Sequence, residues 1–161
     1  MTQEEKLKRI VRDPLLWIKY FCVIVDKEGR KVPFEPTYHQ KLLSKNFGKF
    51  NLVAKSRQLG VTSFALAYSL YLTHTEKDTV CMIMSYSLDT VDIVFKKLKA
   101  MYDDLNPAVK IKDVANNRKE LILENRSRII CCVCGSKDAA RGSTLRYVHL
   151  TEVAFMDDEK L

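Results

Sequence analysis

The stretch from Asn51 to Ser63, NLVAKSRQLGVTS, contains residue types that hold a phosphate group. Phosphate-binding loops of the form G-x-x-x-x-G-K-[ST] join a strand to a helix, because their backbone N–H groups and the helix N-terminus then converge on the phosphates. Gly60 and Thr62 fit the second glycine and the hydroxyl of this form. Lys55 stands where the first glycine is expected, and Val61 stands where the lysine is expected.

A lysine at the start of the loop can replace the missing one. Lys55 can extend its ammonium group across the loop, and Arg57 supplies a second cation inside it. The pattern is degenerate, and an ordinary turn between a strand and a buried helix is the alternative interpretation. The candidate nucleotide contacts in this stretch are Lys55, Ser56, Arg57, Gln58, Gly60, Val61, Thr62 and Ser63.

The segment LRYVHLTE supplies an apolar strand that ends in a carboxylate. The Walker B element of ATPases has this layout: a first acid supports magnesium, and the following glutamate orients and activates water. Glu152 fits the second role, and Thr151 stands where the first acid is expected. Thr62 and Thr151 are therefore candidate magnesium contacts, Thr151 as a neutral ligand acting through water. For Glu152 alone, a surface carboxylate at a strand end is the alternative.

The elements that would position these residues alternate along the chain. Helices are predicted at residues 3–12, from Pro14 with Asp13 as cap, from Pro36 to about Phe47, at 62–74 and at 88–105. Strands are predicted in FNLVAK, DTVCMIMSY, ELILE, SRIICCVCG and LRYVHL, with turns at 26–29 and at Asn125 and Arg126. This order favours an α/β domain with a parallel sheet.

Composition narrows the class of protein. With 161 residues, 47% apolar and 29% charged, the chain is expected to form one globular domain. No apolar run is long enough for a bilayer and no secretory signal is present, so we expect neither a membrane partner nor secretion. The net charge of +7 favours a polyanionic partner, although a solvated surface explains scattered lysines equally well. Three of the five cysteines lie in RIICCVCG and fit small core residues better than metal ligands.

The order of the motifs resembles the N-terminal ATPase domain of the large terminase subunit of tailed bacteriophages, the motor that packages genomic DNA into procapsids. The resemblance covers nearly the whole chain and rests, in order, on DPLLWIKYF, VPFEPTYHQKLL, KSRQLGVTS, IMSYSLDTVDIVFKKLKAMYDDL, ENRSRI and ARGSTLRYVHLTEVAF. It implies an α/β fold of the P-loop NTPase (ASCE) type, with a parallel-rich sheet flanked by helices and a hairpin before the Walker B strand. Residues 1–48 would form the N-terminal helices and Q-motif region, and residues 49–161 the core through Walker B.

The resemblance also implies roles for individual residues. Lys55 would be the displaced phosphate-binding lysine, with ATP and Mg²⁺ as cofactors. Gln40 resembles the adenine-recognising Q motif, with Phe34 and Tyr38 as stacking or packing partners; a buried glutamine that satisfies backbone groups is the alternative. Arg141 resembles an arginine finger that acts on a neighbouring subunit's nucleotide, and Arg57 is the rival finger in cis.

The implied setting is the cytoplasm of an infected bacterial host. The partners would be double-stranded DNA, further large subunits in a ring, the portal protein and the small terminase subunit. The family's coupling motif and nuclease domain would follow Leu161 in a longer natural protein. In this class of sheet the strand after Walker B inserts between the loop strand and the Walker B strand. Without that strand, we expect those two to pair directly, a partner chain to cover the edge, or the fold to be marginally stable.

Two other functions remain open. A helicase-like or recombination ATPase shares the strand, loop, Q motif and acidic strand end. A non-catalytic nucleic-acid-binding or assembly module with a vestigial loop is the other, because Val61 and Thr151 depart from the catalytic pattern.

Overall fold

The computed structural model describes residues 2–56, 58–117, 119–136 and 142–156. Helices α1 to α5 in these ranges are Gln3–Arg12, Pro14–Phe21, Tyr38–Lys45, Val61–Thr75 and Leu88–Asp103. Strands β1 to β7 are Val23–Val25, Lys31–Pro33, Val80–Ser85, Asp113–Asn116, Glu120–Leu123, Arg128–Val133 and Tyr147–Leu150. A short 3-10 helix, Val153–Phe155, follows β7.

The main sheet has the strand order β4-β5-β6-β3-β7. β3 pairs in parallel with both β6 and β7, whereas β4, β5 and β6 pair antiparallel. The predicted α/β class is therefore confirmed, but the sheet is mixed. β5 and β6 form the predicted hairpin, because a short turn joins neighbouring strands that run in opposite directions. β4, which pairs antiparallel with β5, was not predicted from the sequence.

The turn of that hairpin is tied to the end of α4. Arg126 adopts a left-handed conformation, with φ of 68°, and its guanidinium binds both carboxylate oxygens of Asp78 at 2.6 and 2.8 Å. Asn125 donates its side-chain amide to the Thr73 carbonyl at 2.8 Å. The predicted turn at these two residues is confirmed, and it fixes how the hairpin meets the helix.

The N-terminal elements follow local capping signals. Asp13 Oδ1 accepts hydrogen bonds from the N–H groups of Leu15 and Leu16, so α2 begins as predicted. The 26–29 turn joins β1 and β2, which form a separate antiparallel pair. α3 begins at Tyr38 and not at Pro36, because Thr37 and Gln40 form a capping box across its first turn.

The predicted strand at FNLVAK is wrong. Residues 51–56 form no regular structure, and Leu52 is 97% exposed. β7 is an edge strand of the sheet, and no strand of the described ranges pairs with its outer edge. The segment before α4 is therefore not part of the sheet. A strand forms only where its backbone groups find partners, and apolar composition alone does not supply them. Of the arrangements expected at this edge, direct pairing between the loop segment and β7 is excluded.

The core lies between the sheet and the helices. α4 is buried along much of its length, with Leu66, Ala67 and Leu70 fully enclosed, and it packs between α2, α5 and β3. Met82, Ile130 and Cys132 pack on the opposite face of the sheet, where Leu145 contacts them. None of the helices in the described ranges is long and apolar enough to cross a bilayer.

The cysteines belong to this core, as predicted. All five side chains are buried. Burial raises the pKa of the Cys131 thiol to about 12, so it remains protonated and unreactive at neutral pH. The described ranges contain no group of three or more His, Cys, Asp or Glu side chains that could hold a metal ion.

Candidate functional site

A cavity of about 350 Å³ opens near the carboxyl ends of β3 and β7, in front of the start of α4. Its lining residues are Lys55, Gln58, Tyr86, Thr90, Glu152 and Phe155. The fold thus brings Lys55 and Glu152, which are far apart in the sequence, to one cavity. Carboxyl ends of parallel strands are the usual place for ligands in α/β proteins.

Thr62 and Thr151 meet beside this cavity. Their Oγ1 atoms lie 3.3 Å apart, within hydrogen-bond distance. Thr62 is in the first turn of α4, and Thr151, 5% exposed, directly follows β7. The backbone N–H of Thr151 donates to the Met84 carbonyl at 2.9 Å, which fixes the strand end against β3. The two hydroxyls form a pair of neutral oxygen ligands of the kind that a hydrated magnesium ion accepts.

The N-terminus of α4 lacks a side-chain cap. The N-cap residue is Gly60, with φ of 69°. Glycine has no side chain, so it cannot accept hydrogen bonds from the first N–H groups of the helix. These groups belong to Val61, Thr62 and Ser63, the predicted phosphate contacts. Lys55 and Gln58 lie just before the helix and line the cavity. Unsatisfied N–H groups, the helix dipole and an ammonium group together favour an anion here.

Gln40 fastens the loop to α3. Its Nε2 donates to the Gly60 carbonyl at 2.9 Å, and its Oε1 accepts from the Thr37 N–H at 2.9 Å. The side chain is 3% exposed. Both ends of the amide are therefore used by backbone groups, as the alternative interpretation of Gln40 expects. Phe34 is buried in the core, and Tyr38 is exposed.

Two residues of the cavity have left-handed backbone conformations. The φ angles are 66° for Gln58 and 59° for Glu152. Such angles are uncommon for residues other than glycine and tend to occur at functional sites. Glu152 is exposed, and its carboxylate has no ion-pair or hydrogen-bond partner among the residues described. It is available to a water molecule in the cavity.

Two buried polar atoms near this edge lack partners within the described part of the chain. They are Oγ of Ser85 and Nε2 of His149. Burial and, as the smaller cause, the positive charge of Lys55 together lower the pKa of His149 to about 4. His149 is therefore neutral at physiological pH, and the Lys55 ammonium acts on it from nearby.

The rim of the cavity carries an aromatic pair. The rings of Tyr86 and Phe155 have centroids 5.4 Å apart, and both are exposed. Neither these rings nor Ser85 and His149 were predicted as site residues. Only their positions in the sequence could have indicated them: Ser85 and Tyr86 end a predicted strand, and His149 lies two residues before Thr151.

The remaining predicted residues divide into two groups. Ser56 is exposed in the irregular segment before α4, and Val61 and Ser63 are partly buried in its first turn. Arg57 and Arg141, the two predicted arginine fingers, lie outside the described residues.

Comparison of the sequence with models of known protein families and with curated proteins gives no match.

Proposed function

We propose that this chain binds Mg–ATP at the cavity and hydrolyses it, as the ATPase domain of a viral DNA-packaging motor similar to the large terminase subunit. The contact between Thr62 and Thr151 carries the proposal. It joins the first turn of α4 to the end of β7, which is the junction where a P-loop NTPase core combines its phosphate loop with its Walker B strand.

In this function the loop binds the triphosphate. The N–H groups of Val61, Thr62 and Ser63 point along the axis of α4 toward the phosphates, and Lys55 offsets their charge from the other side of the loop. Thr62 and Thr151 would hold magnesium through water, and the ion would supply charge neutralisation to the phosphates.

Glu152 acts on the attacking water. Its carboxylate accepts a proton from the water as the oxygen attacks the γ-phosphate, and ADP leaves with the electrons of the broken P–O bond. The left-handed backbone at Glu152 directs the side chain away from the regular path of β7. Gln40 keeps the loop in place through the Gly60 carbonyl.

Hydrolysis by the isolated chain is expected to be slow. Arginine fingers stabilise the charge of the transition state, and a finger supplied in trans needs a neighbouring subunit. A ring of large subunits on double-stranded DNA, docked on the portal protein and loaded by the small terminase subunit, would supply that neighbour. Arg141 is our candidate for the finger in trans and Arg57 for the finger in cis.

The proposal is tested by nucleotide binding. The dissociation constant of Mg–ATP is measured for the natural chain, for Lys55→Ala and for Lys97→Ala, an exposed lysine on α5 that does not line the cavity. We expect Lys55→Ala to weaken binding by about tenfold or more, and Lys97→Ala to leave it unchanged. Equal affinities of the natural chain and Lys55→Ala would remove Lys55 from the site.

One observation favours a second function. The Thr62–Thr151 pair contains no carboxylate, and a module that binds nucleic acid without hydrolysing ATP would not need one. The net charge of +7 suits such a module. DNA affinity that falls steeply with salt, in a chain that binds no nucleotide, would support it.

A further inference from the structure

Ser85 ends β3 beside Thr151 at the end of β7. Met84 pairs with Leu150 in the parallel ladder between the two strands. Ser85 follows Met84, and Thr151 follows Leu150, so the two residues lie at the same level of the sheet. The Thr151 N–H donates to the Met84 carbonyl, which keeps the strand ends together.

Both side chains point to the face of the sheet that carries α4. Side chains alternate along a strand, so Ser85 shares its face with Cys81 and Ile83, which pack in the helix-covered core. Thr151 contacts Thr62 on α4. Three hydroxyl groups, those of Ser85, Thr151 and Thr62, therefore gather where β3, β7 and α4 meet.

The hydroxyl of Ser85 is the one of these three without a partner among the described residues. Ser85 is 1% exposed, and its Oγ neither donates nor accepts a hydrogen bond there. Thr62 and Thr151 satisfy each other in part. Ser85 does not itself line the cavity, but the next residue, Tyr86, does. Buried hydroxyls in proteins are nearly always hydrogen-bonded, so an unpartnered one at this position indicates a group that binds there.

We propose that Ser85 is a positioning residue of the magnesium site, and that its hydroxyl holds a water molecule of the ion's hydration shell. This inference rests on the proposed function. Magnesium takes oxygen ligands and retains several of its waters. Thr151 stands where the family has a carboxylate, so the three side chains that meet at this junction offer only neutral hydroxyl oxygens. The Ser85 hydroxyl would add one more contact to the hydration shell.

Ser85→Ala tests this role, with Ser69→Ala as the matched control. Ser69 is also a fully buried serine, but its Oγ donates to the Ala65 carbonyl at 2.9 Å within α4. The dissociation constant of a non-hydrolysable ATP analogue is measured with Mg²⁺ and with EDTA. We expect Ser85→Ala to reduce the gain in affinity from Mg²⁺ by about three- to tenfold and to leave the constant in EDTA unchanged. Ser69→Ala should preserve the gain.

A second measurement separates this role from a structural one. The Ser85 hydroxyl has no partner among the described residues, so its removal should leave the Tm of the chain without added nucleotide unchanged or raise it. A lower Tm for Ser85→Ala, or an unchanged gain from Mg²⁺, would overturn the inference while the proposed function stands. If the natural chain does not bind the analogue at all, the proposed function fails and the inference fails with it.

Discussion

Gln40 Nε2 lies 2.9 Å from the carbonyl oxygen of Gly60, and this contact fixes the loop at the start of α4. A Cβ atom on residue 60 would approach the same Nε2 to 2.7 Å. Gln40 cannot move aside without losing its hydrogen bonds to Gly60 and Thr37. Position 60 therefore requires glycine for two reasons: its φ is positive, and Gln40 leaves no room for a Cβ atom.

Gly60→Ala should consequently destabilise the chain more than a glycine replacement elsewhere. Gly29 is the control, because its φ of 78° is also positive but, apart from its chain neighbours, no heavy atom of the described residues would lie within 4 Å of an added Cβ. We expect a loss of about 1 kcal/mol in the free energy of unfolding for Gly29→Ala and of roughly 2–4 kcal/mol for Gly60→Ala. Chemical denaturation measures both, and equal losses would mean that Gln40 does not crowd residue 60.

Gln40→Leu separates the structural role of Gln40 from adenine recognition. The variant leaves the Thr37 N–H and the Gly60 carbonyl without their partners, which should cost about 1–3 kcal/mol of stability. Because the loop loosens for any nucleotide, we expect the affinities for ATP and GTP to fall by the same factor. A loss confined to ATP would show that Gln40 reads the adenine base.

Thr151→Asp should increase the affinity of the nucleotide site for magnesium. The new carboxylate would lie within reach of the Thr62 hydroxyl and supply the negative charge that the junction lacks. Relative to Thr151→Asn, which has the same shape without charge, we expect the Mg²⁺ concentration for half-maximal nucleotide binding to fall by about tenfold. Equal values for the two variants would place the metal away from residue 151.

The buried histidines should make stability depend on pH. Burial lowers the pKa of both His74 and His149 to about 4, whereas an unfolded histidine titrates at roughly 6.5. Between these values the unfolded chain binds more protons, so the stability from neutral imidazoles is present above about 6.5 and is lost as pH falls toward about 4. Each histidine contributes on the order of 1–3 kcal/mol to this change.

His149→Phe retains a ring and removes one titrating group. The free energy of unfolding of this variant should fall less between pH 7 and pH 4.5 than that of the natural chain, as followed by urea denaturation at each pH. An identical pH profile would show that the pKa of His149 is the same in the folded and the unfolded chain.

Elements determined by short-range chemistry could be predicted from the sequence. Asp13 caps α2 through hydrogen bonds that span three residues, and the turn at Asn125 and Arg126 depends on a left-handed residue between two apolar runs. The segment at Leu52 has the same apolar signal as a strand but is exposed, because pairing depends on what lies next to β7. Whether a neighbouring strand is present depends on distant parts of the chain, so the residues of this segment alone do not predict it.

In the candidate site, too, some residues could be predicted from the sequence and others could not. Lys55 and Glu152 line one cavity, and the Oγ1 atoms of Thr62 and Thr151 lie 3.3 Å apart. The order of motifs assigns all four residues to one nucleotide site, and that assignment stays a prediction. Ser85 carried no such signal, because a serine at the end of an apolar strand is common and only three-dimensional packing shows that its hydroxyl lacks a partner.

A crystal structure of the chain with Mg²⁺ and a non-hydrolysable ATP analogue tests the central proposal most directly. We expect the triphosphate between Lys55 Nζ and the N–H groups of Val61, Thr62 and Ser63, with the γ-phosphate facing Glu152. A nucleotide bound elsewhere, or a Lys55 side chain directed away from the phosphates, would contradict it.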